Sequence, residues 1–201
     1  MSIPTSSTDW SSLPGKLIVV SGPSGSGKTT IVRRVVARPD VKARLSVSGT
    51  TRDPRPDEVD GQEYYFLMRD AFEAAARRGE FLEWAQVHGH LYGTPAEPVR
   101  ESLAKGDCVI LEIDVQGGKQ VLERYPATVL VFVNTPDWDS LETRLRGRLT
   151  EDEATIERRL ENARREIAEG ERYHHRIINE DLDRAVDDLA SLIHRLGCGG
   201  S

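Results

Sequence analysis

The chain has 201 residues, 38% hydrophobic and 30% charged, with a formal net charge of −6 and two cysteines. That length suits one buried core with inserted lobes, no apolar run approaches a membrane span, and the acidic balance argues against a dedicated nucleic-acid binder, which needs a basic patch. Cys108 falls in an apolar run and Cys198 in a Gly-rich tail, so no structural disulfide is expected, and a reducing, cytoplasmic setting is.

In chain order, residues 1–15 read as a disordered Ser/Thr-rich tail with Trp10 as a docking point. They lack the basic start and apolar core of a secretory signal. The run Leu17, Ile18, Val19, Val20 predicts a strand over 16–21, and a helix follows over about 28–38, stopped by Pro39. Between them Gly22-Pro23-Ser24-Gly25-Ser26-Gly27-Lys28-Thr29 completes the pattern G-x-x-x-x-G-K-[ST]. Its glycines let backbone N–H groups wrap a polyphosphate, and the helix start adds the positive end of its dipole. Lys28 suits the β- and γ-phosphates, and the Thr29 hydroxyl suits Mg²⁺. The pattern implies nucleoside triphosphate binding; a plain Gly-rich turn is the competing reading, and the strand–loop–helix context argues against it.

Further strands are predicted at 45–48, 63–67, 108–113, 128–133 and 176–179, with a strand-like piece over 81–87. Helices are predicted at about 70–78, 95–105, 117–124, 137–146, 151–169 and 181–195, with capping boxes at Asp70-x-x-Glu73 and Thr150-x-x-Glu153. Ile156, Leu160, Ala163 and Ile167 form a core stripe, as do Leu182, Val186, Leu189 and Ile193. Strands alternating with helices indicate a parallel, doubly wound sheet, interrupted at about 47–94 by an inserted lobe.

Arg52 and Arg55 flank Pro54, which stiffens their loop, so two guanidinium forks are placed to hold one anion; an ordinary exposed loop is the alternative. Glu112 and Asp114 end the run Cys108 to Leu111, at the carboxyl edge of a parallel strand and on one face if the strand reaches that far. Carboxylates there can hold Mg²⁺ beside a phosphate loop, directly or through water. Arg158, Arg164 and Arg165 read as a solvated face pairing with Glu157, Glu161 and Glu169.

Ser48, Thr51-Arg52, Pro54-Arg55-Pro56, Glu58, Gly61 and Tyr64-x-Phe66 follow in order. Phe81-Leu82-Glu83-Trp84-Ala85, Tyr92-Gly93-Thr94, Glu112-Ile113-Asp114-x-Gln116-Gly117, Arg144-Leu145-x-Gly147-Arg148 and Asn179-x-Asp181 come next. With the phosphate loop, the series resembles the guanylate kinase family over about 16–193. The resemblance implies an α/β fold at 16–195: a parallel-sheet P-loop kinase core (16–46 and 95–195), an inserted GMP-binding lobe (about 47–94) and an arginine-rich lid (about 137–155). It implies ATP + GMP ⇌ ADP + GDP with Mg²⁺ and leaves homo-oligomerisation open; charge and composition point to no nucleic-acid or membrane partner.

On this resemblance ATP is held by Gly22, Pro23, Ser24, Gly25, Ser26, Gly27, Lys28, Thr29, Thr30 and Asn179, and Mg²⁺ by Thr29, with Glu112 joining directly or through water. GMP is held by Ser48, Arg52, Arg55, Tyr64, Glu83, Tyr92, Thr94 and Asp114; Lys28, Arg52, Arg148 and Arg159 are catalytic. Arg52, Arg55, Tyr64 and Tyr92 would grip the GMP phosphate. Glu83 would read guanine, since a carboxylate can accept from both N1–H and the exocyclic amine. Thr94 has a rival role, because Thr94-Pro95-Ala96-Glu97 also reads as a helix cap. Leu149 departs from a lid position that is often glycine, which bears on hinge geometry. His88, His90, His174 and His175 are not read as bases, since transfer to an ionised phosphate needs none. Two other functions fit parts of the pattern: a sugar-phosphate kinase on the same scaffold, and a non-catalytic module that holds phosphorylated peptides.

Overall fold

A strand whose side chains are apolar on both faces belongs inside a sheet covered on both sides. In the computed structural model, which describes residues 10–87, 89–147 and 153–198, β1 (Lys16–Ser21) is that strand. Leu17 and Val19 face one layer of helices and Ile18 and Val20 the other, all fully buried. The chain continues through α1 (Lys28–Val36), β2 (Ala43–Leu45), β3 (Ser48–Thr50), β4 (Tyr64–Phe66), α2 (Arg69–Arg77), β5 (Phe81–Val87) and β6 (His90–Pro95). It then runs through α3 (Ala96–Ala104), β7 (Cys108–Glu112), α4 (Val115–Arg124), β8 (Val129–Asn134), α5 (Trp138–Arg146), α6 (Glu153–Gly170), β9 (His175–Ile178) and α7 (Leu182–Arg195).

The central sheet has the order β2-β7-β1-β8-β9 and is parallel throughout. One face packs on Ile31, Val32 and Val35 of α1 and on Val186, Leu189 and Ile193 of α7. The other packs on Val99 and Leu103 of α3 and Val121 of α4. Each such side chain contributes about 1.5–3 kcal/mol on burial. An exposed ion pair such as Arg34–Asp183 contributes about 0–1 kcal/mol. Packing of β1 therefore fixes where the phosphate loop stands.

The inserted lobe is a second sheet, β4-β3-β6-β5, in which β3 and β4 are parallel and the other pairs antiparallel. Phe72 of α2 stacks on Phe81 with ring centroids 4.2 Å apart, and Leu91 completes this small core. The segment read as one strand at 45–48 is divided between β2 at the edge of the central sheet and β3 in the lobe. β6 had no counterpart in the sequence reading, because Gly93 and the Thr94-Pro95 pair hide a strand behind helix-start signals.

Other expectations need correcting. Residues 10–15 are not disordered: Trp10 begins a short 3₁₀ turn and leans on Tyr125 at 5.9 Å, and the Gly15 N–H donates to the Leu103 carbonyl at 2.9 Å. α2 starts at Arg69 with Met68 as its uncapped flank, so Asp70 is not a cap. Among the described residues the side-chain N-caps are Asp114, Asp137 and Asp181, which accept from the N–H groups of Gly117, Ser140 and Arg184. Arg165 pairs with Glu161 as expected, whereas Arg164 lies over the Trp138 ring at 4.6 Å. Cys108 and Cys198 are free thiols lying against each other in the α1–α7 core. Thr150 lies outside the described residues.

Candidate active site

The phosphate loop leaves the end of β1 and turns into α1 at Gly27, whose φ of 86° is left-handed. A side chain there would be strained and would also run into Asn179. Asn179 follows β9; its N–H donates to the Asn134 carbonyl and its Nδ2 to the Ser26 carbonyl, both at 2.7 Å. It braces the loop from beneath and is not among the residues lining the cleft above. Arg144 Nη2 donates to the Asn179 carbonyl at 2.9 Å, and the exposed Arg146 pairs with Glu142 and Glu153, so both arginines have partners within the chain. Among the described residues Lys28 Nζ hydrogen-bonds only to the Pro23 carbonyl, at 3.4 Å. Thr29 Oγ1 donates to the Glu112 carboxylate at the end of β7, and Thr30 is exposed. The Ser26 hydroxyl is buried and has no hydrogen-bonding partner among the described residues.

In the lobe, Glu83 and Thr94 face each other across β5 and β6, both buried, with Thr94 Oγ1 donating to Glu83 Oε1 at 2.7 Å. Thr94 does not cap α3, whose flanking residue is Pro95 and which has no side-chain cap. Burial pushes the Glu83 pKa up to about 7; the Thr94 bond works against that and the Asp114 charge adds to it. A Cβ on Gly117 would stand 2.8 Å from Glu83 Oε2, so α4 approaches this carboxylate closely because it has glycine there. β7 ends at Glu112, and Asp114 is the cap of α4, accepting from Gly117 N at 2.8 Å; the same-face reading of the pair therefore lapses. Arg52 is held by Glu58, both carboxylate oxygens accepting from Nη2 at 2.8 Å, and lies over the rings of Tyr64 and Phe66 at 5.6 and 5.9 Å.

These parts open on one cavity of about 490 Å³. The loop side brings Gly22, Ser24 and Lys28; the lobe brings Ser48, Arg55, Tyr64, Glu83 and Tyr92; β7 and its exit bring Glu112 and Asp114. Helix α6 brings Arg159, Asn162 and Glu166. Thr94 and Arg52 contact residues of this wall, Glu83 and Tyr64, from outside the lining, and Asn179 contacts the phosphate loop at Ser26. Arg148 and Leu149 lie outside the described residues. Asn162 and Glu166 were missed in the sequence, although their spacing from Arg159 (i, i+3, i+7) puts all three on one helix face. His174 is a backbone partner, accepting from Leu130 N at 3.0 Å, and His88 lies outside the described residues.

A family model described as guanylate kinase matches residues 14–196. The chain belongs to the guanylate kinase family. It is similar to the guanylate kinase of Rubrobacter xylanophilus, 46% identical over 188 residues that cover 92% of this chain and 97% of that one. It is also similar to the guanylate kinase of Carboxydothermus hydrogenoformans, 48% identical over 179 residues, 89% of this chain and 87% of that one. The crystal structure of guanylate kinase from Anaplasma phagocytophilum superposes with a TM-score of 0.74 at 29% identity, over 90% of this chain and 85% of that one. The doubly wound sheet with its loop after β1 is thus the guanylate kinase fold. Beside that loop, Thr29 Oγ1 and the Glu112 carboxylate offer adjacent hard oxygens, the donor type that Mg²⁺ takes. Among the described residues no helix is long and apolar enough to cross a membrane.

Proposed function

We propose that the cleft between the phosphate loop and the inserted lobe transfers the γ-phosphoryl group of ATP to GMP, with the residues named here in the following roles. The loop amides and Lys28 hold the triphosphate, its terminal phosphate facing the lobe. Arg55, Tyr64 and Tyr92 receive the GMP phosphate, and Arg52, locked by Glu58, adds a fixed positive charge beside them. Glu83 accepts from guanine N1–H and the amine; Ser48, Thr94 and Asp114 support the base or the carboxylate. Adenine offers no such donor pair and would leave Glu83 with only its Thr94 bond, its side toward the base unmatched.

In the transfer, the bond between the γ-phosphorus and the oxygen bridging to the β-phosphate breaks as a GMP phosphate oxygen bonds to phosphorus in line. ADP leaves with the electron pair. The acceptor is already ionised, so positioning and charge neutralisation suffice. Mg²⁺, held at Thr29 and Glu112, would supply further neutralisation of the phosphate oxygens. The segment at about 137–155 acts as a lid, with Arg159 and Arg148 approaching the phosphates as it closes and water leaves. ATP and GMP as substrates, with no nucleic-acid or membrane partner, fit an acidic chain with two free thiols working in the cytoplasm.

One observation carries this reading: the loop side and the base-reading lobe line the same cavity. Its test is nucleotide-dependent ADP release across GMP, AMP, CMP, UMP and ribose bisphosphate, with and without Mg²⁺. Lys28→Ala should lower turnover at least about a hundredfold while GMP binding, measured by calorimetry, stays nearly unchanged. Wild-type turnover in that variant would refute the assignment of the loop. A preference for ribose bisphosphate would favour the sugar-phosphate reading, in which Glu83 has no base to recognise.

A further inference from the structure

The polar stripe of α6 carries one group that the transfer reaction leaves without work. Glu166 is half-buried and lines the cavity beside Lys28, one helical turn beyond Asn162. Among the described residues no hydrogen bond or ion pair reaches its carboxylate. A carboxylate with neither full hydration nor a bonded donor is in a costly state, and the cost grows with any further negative charge nearby.

The charges facing it come from several elements. Lys28 at the start of α1 is the nearby cation that favours its ionised form, and Asp114 at the start of α4 opposes it. Lys119 of α4 lies on the adjoining cavity wall together with Arg158, Arg165 and Glu169 of α6 and Arg172 just beyond it. Across the main cavity stand Glu112 from β7, Glu83 from β5 and, on α6 itself, Arg159. The Tyr173 hydroxyl, beyond the end of α6, is near enough for the Glu166 charge to help hold back its ionisation. Burial already pushes the Glu166 pKa up to about 7, and Lys28 acts in the opposite direction.

A bound triphosphate takes Lys28 for itself and sets several negative charges beside this carboxylate. We propose that Glu166 is the proton-coupling group of the nucleotide cleft: as the triphosphate binds at Lys28, the Glu166 carboxylate takes up a proton from solvent and becomes neutral. Triphosphate binding is then linked to pH. The affinity is greatest where Glu166 is already protonated and weakens as pH rises through the range in which the empty cleft loses that proton. This inference rests on the proposed place of ATP and adds its protonic partner.

The test is calorimetric titration of the full chain with MgATP at about pH 7.5, without GMP, in two buffers of different ionisation enthalpy. At that pH MgATP carries no titrating proton of its own, and Glu83 and Asp114 are common to all variants compared. Wild type should take up about half a proton or more per nucleotide, and Glu166→Gln should lose that uptake. Between about pH 7 and 8.5 the wild-type Kd should weaken roughly tenfold per pH unit, while the Gln variant stays nearly flat. Guanosine binding by Glu166→Gln checks that the cleft is folded, and Glu166→Asp, which restores a titrating group, should regain part of the uptake. Equal proton counts in wild type and Glu166→Gln, or equally steep Kd profiles, would overturn the proposal and leave the ATP site standing. Failure of MgATP to bind the wild type would overturn both.

Discussion

A carboxylate that accepts two hydrogen bonds from guanine must be ionised when the base arrives, yet burial holds Glu83 at a pKa of about 7. Guanine selectivity is therefore expected to titrate. The ratio of kcat/KM for GMP over AMP, in which the titration of the two substrate phosphates largely cancels, should fall about tenfold between about pH 8 and pH 6. Glu83→Gln should lower the ratio at the upper end and flatten its pH profile. A ratio independent of pH in both proteins would remove Glu83 from base reading. At this scale the sequence shows Glu83 well, because its neighbours along the chain carry the pattern. It shows Thr94 ambiguously: the hydroxyl precedes a proline and a helix, and only the pairing of β5 with β6 turns it toward Glu83. The bidentate hold of Glu58 on Arg52 is equally invisible in one dimension, since a loop of six residues can close in many ways.

Gly27 joins three elements, ending the loop, starting α1 and leaving room for Asn179 beyond β9. Alanine there would have to adopt a left-handed conformation costing about 1–2 kcal/mol and would also displace the Asn179 amide. Gly27→Ala should weaken MgATP binding at least about tenfold in calorimetry while guanosine binding is unchanged, because the lobe does not depend on this junction. Unchanged MgATP affinity would show that the loop does not need the brace. The loop itself is legible because its residues are contiguous and its glycines have no substitute. Helix α6 was legible only in part: its apolar stripe announces the packing against α5, while Arg159, Asn162 and Glu166 form a neighbouring stripe whose meaning depends on what stands opposite. β2 and β3 read as one strand because Ser46 and Val47 do not break the pattern, although the chain crosses there from one sheet to another.

Across the whole molecule, Glu83 and Glu166 make stability depend on pH in a defined direction. Both have native pKa values raised from 4.5 to about 7, so the native state binds protons more tightly than the unfolded chain. Their contribution is most favourable below about pH 4.5, declines as pH rises to about 7, and is level above that. His175, whose pKa burial lowers, acts the other way in part of this range and is common to any variants compared. Carboxylates with lowered pKa values, such as Glu58 on the Arg55 N–H and the Arg52 guanidinium, lose their contribution only at more acidic pH. Replacing Glu83 and Glu166 together by Gln should therefore raise the urea midpoint more at about pH 7.5 than at about pH 5. An equal effect at both values would show that these carboxylates are not raised.

The brace under the phosphate loop has a temporal side. Ser26 and Asn179, joined by a hydrogen bond, are 153 positions apart. A ribosome makes the loop first and its support only 153 residues later. A growing chain thus carries the loop long before its brace can form, and on the proposed site ATP would stabilise the folded chain but not the nascent one.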